Sequence, residues 1–314
     1  MKRFEPIVRP TLLTGFLGYL FVCIALMFDL GQPWRIWHAM VYWNEHSVMF
    51  EVAWCVMLYT TVLALEFSSI VFERLGLERL RRAMRAVNTP LVIAGVLLST
   101  LHQSSLGSLY LIVPEKLHPL WYSPFLPLLF YVSAIGAGLG MIILESYLSG
   151  RALGRELEME LLEPLGRAMV VVLGLFGVLR LQLLARSGAL PLAFAPTYEG
   201  RMFLAEFGLG VALPIALLVW PRIRTSPAGL VTGGCLAVLG FIMHRLDVSV
   251  TGLERASGVH YVPSWMEVTV SVGLVAIGMA AFALAARHLA IFPARTGHAS
   301  GGARNGDARR GGTP

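Results

Sequence analysis

Charge is scarce in this sequence. Only 14% of its 314 residues are Asp, Glu, Lys or Arg, against 56% hydrophobic, and mean hydropathy is +0.68. A soluble domain carries about 25% charged residues, so a water-soluble globular enzyme is excluded. Cysteine is scarcer still. Cys23, Cys55 and Cys235 stand in three different apolar runs with no CxxC or CxxxH spacing. They support neither a disulfide framework nor an iron–sulfur cluster, and read as small buried apolar residues. Long polar stretches are missing too: connections between apolar runs are mostly under about twenty residues, too short for a separate catalytic domain. None of the runs reads as a cleavable signal peptide, because Met1–Pro10 leads directly into a full-length apolar run.

What remains is apolar length. Eight runs, at about 10–30, 47–72, 89–113, 122–148, 166–187, 201–220, 227–248 and 264–291, are long enough to cross roughly 30 Å of hydrocarbon as helices. The expected fold class is therefore all-α, a polytopic transmembrane helix bundle of about eight spans over residues 1–292. The Gly-, Arg- and Ser-rich stretch 293–314 is expected to form a disordered basic tail. The net charge of +6 and pI near 9.5 do not point to nucleic acid, because the charge is segregated. Eighteen of the 25 lysines and arginines fall on one side of the spans, five on the other, and Arg180 and Arg245 inside them. The positive-inside rule makes the richer side, with both termini, cytoplasmic. On that side the Arg-rich, helical-looking linker Glu73–Asn88 is expected at the anionic lipid surface. The mixed-sign connector Arg151–Arg167 reads as a solvated amphipathic segment.

The opposite loops are aromatic, with Trp34, Trp37, His38, Tyr42, Trp43, His46, His118, Trp121, Tyr122, His260, Tyr261 and Trp265. They suit an interfacial belt first, and a protein docking surface second. Gly136 and Gly140, and Ser104 and Ser108, have the small-xxx-small spacing that lets helices approach closely.

Polar groups within the spans carry the functional signal, because each costs several kcal/mol in hydrocarbon unless partnered. His102-Gln103-Ser104-Ser105 interrupts the third run, and Glu51, Glu66, Glu145, Arg180, Glu206, His244, Arg245, Asp247 and Glu267 are spread over the others. Glu51 and Glu66 lie fifteen residues apart, on roughly one helix face about 22 Å apart. They mark the ends of a proton path, although Glu66 also suits a side chain that snorkels to the interface. Arg180 requires a carboxylate, for which Glu206, Asp247 and Glu267 compete. His244 reads best as a satisfied buried histidine, and His102 with Gln103 as a hydrogen-bonding ligand site. A quinone suits such a site: a flat apolar ring with two carbonyl acceptors, needing donors and a carboxyl or imidazole to deliver protons. Haem would need facing axial histidines, for which His102 and His244 are one pair at different depths. A proton-coupled transporter would also explain intramembrane carboxyls, but paired Pro/Gly-broken helices are lacking.

Several segments resemble the NrfD/polysulfide-reductase family of membrane subunits, in particular its HybB-like branch from periplasm-facing hydrogenases. They include Phe50-Glu-Val-Ala-Trp-Cys55, Ala64-Leu-Glu-Phe67, Leu101-His-Gln-Ser-Ser-Leu-Gly-Ser-Leu109, His118-Pro-Leu-Trp121, Val178-Leu-Arg180 and Pro263-Ser-Trp-Met-Glu267. The resemblance implies a haem-free, quinone-reactive anchor in a bacterial inner membrane, reducing menaquinone or ubiquinone. It implies as partners a periplasmic ferredoxin-like iron–sulfur protein and the large and small subunits of a [NiFe] hydrogenase, beside membrane lipid. A molybdopterin or sulfur-metabolising reductase is the alternative catalytic partner. By the same resemblance Glu51 handles protons and Glu66 continues the path. His102, Gln103, Arg180, Glu206, Arg245 and Glu267 are the expected quinone-binding set. That branch carries two further spans ahead of the position of Phe4, so eight spans here correspond to ten there.

Overall fold

The computed structural model describes residues 5–154, 157–289 and 291–292. Among these, eight helices are long and apolar enough to cross a membrane. They are α1 (Glu5–Asp29), α2 (Val48–Arg74), α3 (Glu78–Ser108), α4 (Leu126–Leu153), α5 (Met159–Arg186), α6 (Tyr198–Val219), α7 (Pro227–Ser257) and α8 (Trp265–His288). The expected all-α bundle is found. The segment 293–314 lies outside the described residues, so the basic tail is not part of the fold described.

Helix ends follow local chemistry. Ser47 caps α2 by accepting from the Phe50 amide, and Gly154 ends α4 at φ 63°, a left-handed conformation that glycine adopts without a Cβ penalty. Ser264 and Glu267 form a reciprocal capping box at the start of α8. The two basic connectors are largely helical, as expected for the first. Most of Glu73–Asn88 is the first part of α3, which continues through Pro90, so only Leu75, Gly76 and Leu77 separate α2 from α3. In the Arg151–Arg167 segment, whose Arg155 and Glu156 are not described, the first three residues end α4 and Met159 onward begins α5.

α2 packs along α3, α3 on α4, and α4 against both α5 and α7, while α1 touches α2, α4 and α8. Gly140 of α4 meets the Gly234 carbonyl region of α7, as the small-residue spacing anticipates. Closer still, a Cβ on either Gly210 of α6 or Gly240 of α7 would run into the other's backbone. The largest buried cluster gathers Trp121, Phe130, Phe176, Phe203, Val211 and Val248 near the aromatic-loop end; a second, around Ile143, Met169, Leu173, Leu218 and Leu230, lies beyond it. Outward faces such as Val171, Leu175 and Val178 of α5 and Val272 and Val275 of α8 are exposed and apolar. In water they would be unstable; in hydrocarbon they are at no disadvantage.

Two spans depart from regular α geometry. Gly208–Ala212 in α6 and Asp247–Thr251 in α7 are π-helical, and the two segments belong to neighbouring helices. Such bulges widen a helix by one residue per turn and concentrate at functional sites.

Candidate functional site

The site grows from those irregular turns. Glu206 lies two residues before the π segment of α6, and Asp247 opens that of α7. Arg180 of α5 reaches Glu206 with Nη1 3.3 Å from Oε1 and Nη2 3.3 Å from Oε2, both side chains being 3% exposed. His244 Nδ1 lies 2.8 Å from Glu206 Oε1 and 2.7 Å from Arg180 Nη1. One ring nitrogen cannot donate to the carboxylate and accept from the guanidinium at once. Where its proton sits decides which bond forms. The Arg180 guanidinium also stands over the Phe203 ring at 5.2 Å. The competition for Arg180 is thus decided for Glu206, and His244 is a satisfied buried histidine as expected.

Asp247 is 1% exposed and accepts from Thr251 Oγ1 at 2.8 Å, while its Oδ2, with no hydrogen-bond donor, stands beside the Glu206 carboxyl. Arg245, in turn, donates to the Phe130 carbonyl (2.9 Å) and Ser133 Oγ (3.3 Å) and lies 3.5 Å from the Phe130 ring centroid. Its Nη1 has no partner. Arg180 and Glu206 neutralise each other as an ion pair, which is how a dry interior tolerates them.

A second polar group lies between α1, α2 and α3. Ser105 Oγ donates to Glu51 Oε1 at 2.6 Å, and Cys55 lies one turn along α2 from that carboxylate. His102 packs edge-on against Tyr19 at 5.6 Å, Tyr19 against Tyr59 at 4.5 Å, and the Tyr19 hydroxyl is bonded to the Gln103 amide. His102 Nδ1 and Gln103 Oε1 are buried without a partner. Arg245 itself is held on α4, by the Phe130 carbonyl, Ser133 Oγ and the Phe130 ring, and stacks on Phe241 of its own helix.

Of the sequence-predicted residues, then, Arg180 and Glu206 are joined directly, Arg245 lies beside them, and His102 and Gln103 belong to the adjoining group with Glu51. Glu66 is half-buried further along α2. Glu267 is elsewhere: exposed at the start of α8, it accepts from the Tyr261 hydroxyl at 2.7 Å and the Ser264 amide at 2.8 Å. Its carboxylate caps a helix and does not join the buried groups.

Trp121 was placed by its sequence with the surface aromatics, and the structure corrects this. The Trp121 ring is 2% exposed and its Nε1 donates to Glu206 Oε2 at 2.9 Å. His118 is buried as well, its backbone amide donating to the Gly252 carbonyl at 2.8 Å and its Nδ1 accepting from the Leu120 amide at 3.3 Å. The α3–α4 loop therefore folds inward and closes the cluster from above. Trp34, Trp37, Tyr42 and Trp43 of the α1–α2 loop do stay exposed. Asp247, Tyr19 and Tyr59 also lie outside the sequence-predicted site set; of these only Asp247 was signalled, by its intramembrane position, as the HPLW segment signalled Trp121.

Residues 1–255 match the family model described as polysulphide reductase, NrfD. A protein of Nitratidesulfovibrio vulgaris is 38% identical over 286 residues, 88% of this chain and 73% of that one. The probable Ni/Fe-hydrogenase 2 b-type cytochrome subunit of Escherichia coli is 34% identical over 284 residues, 87% of this chain and 71% of its own. The integral membrane subunit of the menaquinone reductase of Nitratidesulfovibrio vulgaris is 27% identical over 319 residues, 91% and 75% of the two chains. The matched region carries seven of the eight spans and both polar groups, and the chain belongs to the NrfD family of polysulphide reductase membrane proteins.

Proposed function

We propose that this chain is the quinone-reactive integral membrane subunit of a respiratory oxidoreductase complex of the bacterial inner membrane, with a [NiFe] hydrogenase as its catalytic partner. The observation that carries the reading is a set of unpartnered buried polar atoms, among them His102 Nδ1, Gln103 Oε1 and Arg245 Nη1, in the same protein interior as the Arg180–Glu206 ion pair. A buried polar group without a partner costs about 1–3 kcal/mol. A carbonyl-bearing ligand between α3 and α7 would relieve that cost at Arg245 Nη1, and at His102 when its Nδ1 carries the proton. Quinone, as menaquinone or ubiquinone, supplies two-electron acceptor chemistry when bound. The protein's own residues orient it: Arg245 and His102 hydrogen-bond its oxygens, and the Phe130 carbonyl and Ser133 hold Arg245 in place. Glu51, with Ser105 as its donor, passes protons between His102 and the aromatic-loop end, and Glu66 extends the path along α2.

The reading is haem-free, although one relative carries b-type cytochrome in its name. What supports it is that His244 is engaged by Glu206 and Arg180, while His102 packs on Tyr19. The exposed tryptophans of the α1–α2 loop are the docking face for a periplasmic ferredoxin-like iron–sulfur partner. The similarity to a menaquinone reductase subunit favours a second reading, the same membrane role beneath a different catalytic subunit.

The test is Glu51→Gln in the native complex. Hydrogen-dependent quinone reduction is lost while dye-linked hydrogenase activity is retained; unchanged quinone reduction removes Glu51 from the mechanism. Mass spectrometry of the proteins that co-purify in mild detergent separates the two catalytic partners.

A further inference from the structure

We propose that the groove between α1, α4 and α8 is a binding site for one anionic phospholipid, with an acyl chain in the groove and the phosphate against Arg151 and Arg287. α8 packs on α1 but stands away from α4, leaving a cavity of about 580 Å³. Its walls are apolar, formed by residues such as Leu17, Phe21, Met141, Leu148, Val275 and Phe282. The lining runs from Thr14 to Ala25 on α1 and from Ser271 to Ala286 on α8, about 16 Å and 22 Å along the helix axes. That is the shape of a single hydrocarbon chain lying parallel to the helices, not of a compact head group.

The groove walls alone would accept any apolar chain, so its charged end decides the occupant. Arg151 follows Leu148 by three residues and Arg287 follows Ala283 by four, so each continues a helix row that lines the groove. Both arginines are exposed, at the α4 and α8 ends that share one side of the bundle. A phosphate monoanion there meets two guanidiniums, the group that binds phosphate best. A zwitterionic head group brings its own cation into the same field and gains less. An uncharged quinone offers them carbonyl acceptors but no charge to pair with. The one carboxyl on the wall, Glu145, is buried, accepts from Thr11 Oγ1 at 3.5 Å, and lies six residues before Arg151. That is about 9 Å deeper, too far to contact a phosphate at the mouth.

The proposal does not rest on quinone chemistry, because lipid retention is read without turnover. The protein is purified in its complex, stripped by repeated detergent exchange, and titrated with phosphatidylglycerol or phosphatidylethanolamine while native mass spectrometry counts bound lipid. One phosphatidylglycerol is expected to persist. Replacing both arginines (Arg151→Gln with Arg287→Gln) lowers the preference for phosphatidylglycerol by about tenfold or more. Gly18→Leu fills the groove and abolishes retention; a Cβ there meets nothing within 4 Å, so the bundle folds around it. Retention unchanged in Gly18→Leu, a preference unmoved by the arginine pair, or a quinone as the retained species would each overturn the proposal.

Discussion

Glu206→Gln is the most informative single perturbation of the buried cluster, because it removes a charge while keeping a shape. The amide retains an oxygen for the Trp121 indole, which donates at 2.9 Å, and it keeps the side-chain volume. What disappears is the counter-charge to Arg180, whose side chain is 3% exposed and whose Nη1 lies 3.3 Å from Oε1. At that separation and an effective dielectric of 20 the attraction is about 5 kcal/mol. Breaking a buried pair from one side costs about 3–5 kcal/mol in measured cases. Asp247, beside Glu206, can take over part of the compensation, which sets the expectation at the lower end, about 3 kcal/mol. The assay is reversible denaturation in mixed micelles of Glu206→Gln, Arg180→Met and the double variant. The double variant should recover most of the loss, because no charge is then left buried alone. A cost below about 1 kcal/mol for Glu206→Gln, or a double variant no more stable than either single one, would show that the pair does not carry the stability assigned to it. Quinone reduction in the double variant then separates structure from chemistry: restored stability without restored activity marks the charges themselves as functional.

Two further outcomes follow from the packing and from the loop above the cluster. Gly240→Ala replaces glycine by the best helix former, worth about 1 kcal/mol in an open helix, yet its Cβ collides with the Gly210 backbone. Thermal unfolding should report a net loss of about 1–3 kcal/mol; equal or higher stability would refute the close approach of α6 and α7. His118 lies outside the spans, and burial holds its imidazole below the ordinary 6.5, with Glu199 opposing and Arg255 adding to the shift. The unfolded chain therefore takes up this proton at higher pH than the folded one. The stabilisation is whole above pH 6.5 and is lost as pH falls through the lowered folded value. Hydrogen exchange at the Leu120 amide, corrected for its intrinsic pH dependence, should rise over that window and stay flat in His118→Gln.

Much of the architecture was legible because the bilayer imposes a length and a composition on anything that crosses it. Eight apolar runs became eight helices, with ends shifted where charged segments proved helical, as in the arginine-rich start of α3. The ion pair was half legible. A buried arginine demands a carboxylate, so Arg180 announced a partner, but three acidic residues were equally available. Tertiary packing selected Glu206 and left Glu267 as a helix cap. The reverse error concerned Trp121. A tryptophan in a short loop between spans ordinarily faces the interface, and nothing local distinguishes one that turns inward to bond a buried carboxylate.

The sequence by itself determined membrane residence, span number, the aromatic and basic ends, and which side chains could not be left alone in hydrocarbon. Each of these follows from composition within one helix length, where hydrophobicity and hydrogen-bond demand are local quantities. The tertiary structure decided which polar groups meet, that His102 and Arg180 belong to two different groups, and that a groove remains between α1, α4 and α8. Those outcomes depend on helix rotation and on contacts between residues as far apart as Trp121 and Glu206. In a bundle where every span is apolar, hydrophobic periodicity does not encode rotation; close glycine contacts and the pairing of buried charge set it instead.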